Sequence, residues 1–192
     1  MVRTAQFSVD AFVGAAIALV ADDGPGAASI PAIARRVGAP TGSLYHRFPS
    51  KAAVLAAAWA EVQGDFIAAL VPPLCEARAD LAALTLVEWA RAKPLRARFL
   101  LLNDFDSLVE GAALPDELRA TLARQEETLD LAFRALLGGT ADAEVEARLR
   151  FQVFDGPIAM LRPHLLSRGA VPGFVDAMVA DLHGGIRLER VA

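Results

Sequence analysis

The chain has 192 residues, of which 55% are hydrophobic, a net charge of −4 and one cysteine, Cys75. It can bury a full core in one domain or two small ones, while the lone cysteine excludes an internal disulfide framework and a cysteine-rich metal site and is expected as a small buried hydrophobe. No apolar run approaches the roughly 20 uninterrupted residues of a membrane span, residues 12–21 being the longest. The opening MVRTAQFSVD has no long apolar signal core, so the expectation is a soluble, cytoplasmic protein that does not enter a membrane.

Residues 1–8 read as an arm, with Arg3 in reach of a phosphate or a minor groove. A first helix from residue 8 or 9 to 21 carries Phe12, Ala16, Leu19 and Val20 on one stripe and ends at Asp22-Asp23-Gly24-Pro25-Gly26. Ser29 caps a second helix with Ile30, Ile33, Ala34 and Val37 on one face. Gly38-Ala39-Pro40 breaks it. A third helix, residues 41–48, stops at Pro49-Ser50, and Leu44 and Phe48 turn back onto Ile33 and Val37. Thr41, Gly42, Ser43, Tyr45, His46 and Arg47 are left on the outward or flanking faces, which makes a helix-turn-helix.

These residue types suit double-stranded DNA. Thr41 and Ser43 are hydroxyl donors at the front of the third helix, where such helices meet base edges. Gly42 lets the backbone come close, and Tyr45, His46 and Arg47 can reach bases or phosphates. Lys51 opens the next helix, where its ammonium and the helix N-terminus can share a phosphate. A helical hairpin whose polar residues merely face water is the plainer alternative. Residues 1–55 hold Arg3, Arg35, Arg36, Arg47 and Lys51 against Asp10, Asp22 and Asp23, a net +2, which leaves −6 on the remainder. The positive end is thus the helix-turn-helix end. So small an excess calls for two copies of the module, hence a homodimer.

The segment resembles the first domain of the TetR (tetracycline-repressor) family of transcription regulators. The matching strings are Ile33-Ala34-Arg35-Arg36-Val37-Gly38 and Ser43-Leu44-Tyr45-His46-Arg47-Phe48-Pro49-Ser50-Lys51. Pro31 departs from the pattern and removes one possible DNA contact, although proline near a helix start is acceptable. The resemblance implies an all-α fold of about nine helices. Residues 1–52 would be the DNA-binding domain, and residues 53–192 a helical ligand-binding and dimerisation domain.

The fourth helix starts with Ser50 as N-cap and runs to about residue 70 on the stripe Val54, Leu55, Ala58, Trp59, Val62, Phe66 and Leu70, with Pro72-Pro73 closing it. With no Gly/Ser-rich spacer after residue 52, it is the natural lever into the rest. Helices are expected over residues 74–92, 94–108, 115–137, 141–167 and 172–190, with stops at residues 138–140 and 168–170. No strand-like alternation and no internal repeat occurs. Asp155-Gly156-Pro157 should kink or break the helix over residues 141–167, and Pro163 should interrupt it again. Phe174, Met178, Leu182 and Ile186 stand at i+4 spacing, flanked by Val175 and Val179, a broad apolar face. It can be ordinary core. The family resemblance instead implies that these residues, with Phe154, form a four-helix interface with a second copy.

Catalytic and metal signals are missing. His46, His164 and His183 begin no metal spacing, and there is no phosphate loop, dinucleotide fingerprint or nucleophile elbow. Glu126-Glu127 and Asp104/Asp106 read as solvated faces or caps. The chain is read as no enzyme, with no cofactor. Trp59, Phe66, Trp89, Leu101, Phe105, Phe133, Phe151 and Phe154 can line a pocket for an apolar small-molecule effector, or each can be plain core; Gln125 and Asp155 are the candidate orienting groups. The resulting reading is a homodimeric repressor that binds a pseudo-palindromic operator and is released by that effector. The competing reading is a helical small-molecule- or partner-binding protein with a vestigial DNA-binding module.

Overall fold

The computed structural model describes residues 7–139 and 142–184. Arg3, Thr140, Ala141 and Ile186 lie outside the described residues. Among the described residues every regular element is helical and no strand occurs, as the sequence implies. By internal contacts the chain forms two compact units. One comprises Met1–Gly64 and Leu95–Gln125, the other Asp65–Pro94 and Glu126–Ala192.

In the first unit, α1 (Val9–Asp23) is capped by Ser8, whose Oγ accepts from the Ala11 amide. Phe12, Ala16, Ile17 and Val20 are its buried stripe. Gly24 ends it at a φ of 84°, and its N–H donates to Val20 O. A single 3-10 turn, Pro25–Ala27, follows. The helix α2 (Ile30–Val37) is capped by Ser29 and closed by Gly38 in the left-handed conformation, φ 74°. Only glycine takes that turn without strain. Next comes α3 (Thr41–Tyr45), shorter than the expected 41–48. Pro49 disfavours helical geometry at Phe48, so residues 46–48 form a turn in which the Arg47 and Phe48 amides both donate to Leu44 O. Phe12, Ile33, Leu44 and Phe48 are all buried and form the core of this module.

Ser50 Oγ accepts from the Ala53 amide at the head of α4 (Lys51–Cys75), as expected. The expected close at Pro72-Pro73 does not occur; both prolines lie inside the last turns. Proline's φ is itself helical, and what it removes is one donor. Its carbonyl still accepts, and Glu76 and Arg78 donate to Pro72 O and Pro73 O. Cys75, expected to be buried, is exposed at this helix end. By length and composition α4 could cross a membrane, but half of its most apolar window is buried inside the protein, as in a core helix.

The expected helix over residues 94–108 is two: α6 (Pro94–Leu101) and α7 (Phe105–Val109). Between them Asn103 Nδ2 donates to Phe99 O at 2.8 Å, and Asp104 accepts from the Ser107 amide at 2.9 Å. One side chain closes α6 and the next opens α7. The Ser107 amide, helped by its hydroxyl, holds the Asp104 carboxyl below the usual carboxylate range. Arg98 on α6 donates to Ala21 O and Asp22 Oδ1 at 3.2 and 3.0 Å, which ties α6 to the end of α1. Val109 packs against Ala52 and Ala56 on the first turns of α4, with Phe105, Leu114 and Leu118 around them. The unit ends within α8 (Asp116–Leu137).

The second unit holds α5 (Ala79–Ala92), the rest of α4 and α8, α9 (Ala143–Arg150), α10 (Gly156–Leu166) and α11 (Phe174–Gly184). Its core includes Phe66, Leu70, Leu86, Phe133, Leu161, Val175 and Val179. Arg91 on α5 donates to Val171 O, Pro172 O and Asp176 Oδ1, pinning the approach to α11. The expected break at Asp155-Gly156-Pro157 takes the form of a π turn, Phe151–Asp155, joining α9 to α10. The Gly156 amide reaches back to Phe151 O, so one extra residue per turn absorbs the misfit before the proline. Pro163, expected to interrupt again, lies within α10 without breaking it. Counted with this joint as one helix, the described residues hold ten helices rather than about nine; the split at residues 102–104 accounts for the extra one.

Gly156 is a packing requirement: a Cβ there would meet Leu182 Cδ2 at 2.7 Å and Phe151 O at 3.0 Å. Gly156→Ala should therefore destabilise the fold by about 1–3 kcal/mol, the usual cost of overpacking. Thermal unfolding of the variant beside the parent checks it, and an unchanged midpoint would show that α11 moves aside freely.

Candidate nucleic-acid interface

Leu44 is fully buried, and the helical period then decides where its neighbours point. Thr41, Gly42 and Tyr45 are exposed on α3, Tyr45 to 58%, and His46 is exposed at its C-terminal cap. Ser43 and Arg47 are half-buried. No Cβ contact within 4 Å would obstruct a side chain at Gly42, so the helix front is open to an approaching surface. On α2, Arg35 and Arg36 are exposed in the last turn, and Arg36 lies 3.7 Å from Asp22.

Two of the expected DNA contacts are engaged within the unit. Arg47 Nη1 donates to Ser43 O at 3.4 Å, and its guanidinium sits 6.0 Å from the centre of the Phe12 ring. It also lines a cleft of about 290 Å³ with Phe48, Pro49, Ala53, Ala57 and the first turns of α8. Lys51 Nζ donates to Glu110 Oε1 at 3.3 Å, across 59 positions of sequence. Glu110 has no local signal, so sequence reasoning missed it.

The expected effector residues fall into separate clusters. In the first unit Trp59 lies against Phe99 and Phe105, with ring centres at 6.0 and 5.5 Å. Leu101 is half-buried there. Gln125 Nε2 donates to Ala60 O at 2.9 Å, and its Oε1 is buried without a partner, as is Gln63 Oε1. Phe99 and Gln63 were not expected from sequence; each reads there as an ordinary helix residue.

In the second unit Phe66 and Trp89 meet edge to face at 5.0 Å. The Trp89 indole N–H donates to Asp65 Oδ2, whose other oxygen accepts from Lys93 Nζ. Phe154 lies 5.9 Å from Phe133. Asp155, the other candidate orienting group, is exposed. Among the described residues no group of three or more His, Cys, Asp or Glu side chains could hold a metal ion.

The expected dimer residues also divide. Val175 and Val179 are fully buried in the second unit's own core, because the i+4 row beside them is the one that faces outward. Leu182 is half-buried and meets Gly156. Phe174 and Met178 are 58% and 41% exposed, and Phe151 is exposed as well.

Residues 12–58 match the family described as bacterial regulatory proteins, tetR family. No curated protein matches the chain in sequence. Among solved structures, a chain assigned to the tetR family of transcription regulators from Shewanella sp. PV-4 has the same fold. Its TM-score is 0.67 at 21% identity, over 96% of this chain and 100% of that one. A TetR family transcription regulator from Marinobacter aquaeolei VT8 gives 0.66 at 19% identity, over 93% and 95%. The transcriptional regulator FadR from Bacillus subtilis, in complex with stearoyl-CoA, gives 0.64 at 15% identity, over 94% and 100%. At such identities the likeness is one of fold.

Proposed function

We propose that this chain, of the TetR family by its first three helices and its fold, is a repressor that binds a pseudo-palindromic operator as a homodimer and is released by a small apolar effector. In this reading residues 1–52 bind DNA, and residues 53–192 bind the effector and the partner copy. The observation that carries it is the outward face of α3. Thr41, Gly42, Tyr45 and His46 stand exposed over a buried Leu44 and Phe48, within the segment that matches the family. Ser43 and His46 read bases, while Tyr45, Arg47 and Lys51 hold phosphates and fix the register. One observation favours the competing reading of a vestigial module: Arg47 and Lys51 are engaged within the protein.

Selection from a random duplex library tests the first reading. It should enrich two half-sites centred about 34 Å apart, or a multiple of that. Ser43→Ala or His46→Ala should relax preference at one or two base pairs per half-site. Failure to enrich any sequence would favour the vestigial module.

The partner copy docks on the exposed row of α11, Phe174 and Met178, which are 58% and 41% exposed. Met178→Asp would desolvate an unpaired carboxylate there, at a cost of several kcal/mol (order of magnitude). Sedimentation should then find monomers or aggregates; an undisturbed dimer would move the interface elsewhere.

The effector site is placed at Trp59, Phe99 and Phe105, with the unpartnered Gln125 Oε1 as its acceptor. FadR's bound stearoyl-CoA makes an acyl-CoA the first compound to try. Linkage requires that operator weaken effector binding by the factor by which effector weakens operator binding. Calorimetric titration of stearoyl-CoA with and without the selected operator should show that reciprocity. Equal affinities in the two titrations would end the release mechanism for this compound.

A further inference from the structure

The contact between Lys51 and Glu110 adds little to the fold. Glu110's side chain is 74% exposed and Lys51's 37%, and an ion pair so open to water is largely screened. The backbone beneath Glu110 is nonetheless unusual. Glu110 is a non-glycine residue at a φ of 53°, and its N–H donates to Asp106 O at 2.9 Å to close α7. The preceding residue, Val109, is buried against Ala52 and Ala56 of α4. The fold therefore delivers a carboxylate, on a strained turn, to the first residue of α4.

We propose that Glu110 occupies the place of a DNA phosphate at Lys51, so that the end of α7 and DNA compete for one ammonium. Both are anionic oxygens accepting from the same –NH3+ group. That group has three donors, but two anions brought together on it repel, so a phosphate must loosen Glu110 to bind. Glu110 then sets the DNA affinity downward in the free protein, and whatever holds or shifts α7 sets it further. The inference rests on the reading of Lys51 as a phosphate contact.

The experiment uses the full chain and a random-sequence duplex of about 30 base pairs, because a phosphate contact needs no operator. Fluorescence anisotropy is measured over a salt series for the parent, Lys51→Ala, Glu110→Gln and the double variant, with thermal unfolding of each as the control for folding. Glu110→Gln should bind about two- to fivefold tighter per DNA head, the span expected of an exposed ion pair. Lys51→Ala should bind more weakly, with a salt slope shallower by roughly one, and the double variant should equal Lys51→Ala. Three results overturn the proposal. If Lys51→Ala weakens binding but Glu110→Gln leaves it unchanged, there is no competition, while Lys51 keeps its phosphate role. If Glu110→Gln tightens binding equally without Lys51, the effect is that of the general field. If Lys51→Ala changes nothing, the phosphate assignment fails and the inference falls with it.

Discussion

The burial of Leu44 and Phe48 is the constraint on which the candidate interface depends. With Leu44 fully inside against the Phe12 and Ile33 core, α3 has no rotational freedom left. Thr41, Gly42, Tyr45 and His46 face outward because Leu44 faces inward. One-and-a-half turns of helix would not be stable alone, since nucleation fixes several residues for a single hydrogen bond. Tertiary burial replaces that missing stability, and Gly38 sets the reversal that lets α3 reach its core.

That part of the structure was legible because its determinants are local. Ser29 as cap, Gly38 as stop and the spacing of Ile33, Val37, Leu44 and Phe48 lie within a few residues of one another. The misreadings elsewhere share a cause. By sequence Pro72, Pro73 and Pro163 read as breaks, yet all three lie inside helices. A proline removes one donor and crowds one preceding carbonyl, so what it does depends on what the rest of the helix gains by continuing. Leu74, fully buried just beyond the pair, is such a gain. At Pro157 the same chemistry gave a π turn, where Gly156 could sit against Leu182. Which outcome applies is set by neighbours remote in sequence.

The same holds for the site. An apolar i+4 row was visible on the last helix, but not that Val175 and Val179 beside it serve the unit's own core. The pairings of Lys51 with Glu110, Arg98 with Asp22 and Arg91 with Asp176 span 59, 76 and 85 positions. Charges so far apart leave no pattern in a single sequence. The first is exposed and contributes modestly to stability, while the other two are part-buried. Their effect is to fix which elements move together: α6 with the end of α1, the approach to α11 with α5, and α7 with the head of α4.

A switch of the proposed kind can accordingly be built inside the first unit alone. A ligand shifts a conformational equilibrium only by its differential affinity for the two forms, so it must touch something that differs between them. Here α7 is five residues long, with Phe105 against Trp59 at one end and Glu110 on Lys51 at the other. Its first turn depends on a single capping carboxylate, Asp104. Of its five residues only Leu108 and Val109 are buried, so its hold on the unit rests on few apolar contacts. A group inserted beside Trp59 and Phe105 would be felt at Lys51 through one turn and a half of helix. The long stiff α4 then need not bend; it needs only to have its first residue held by a carboxylate or given up to a phosphate.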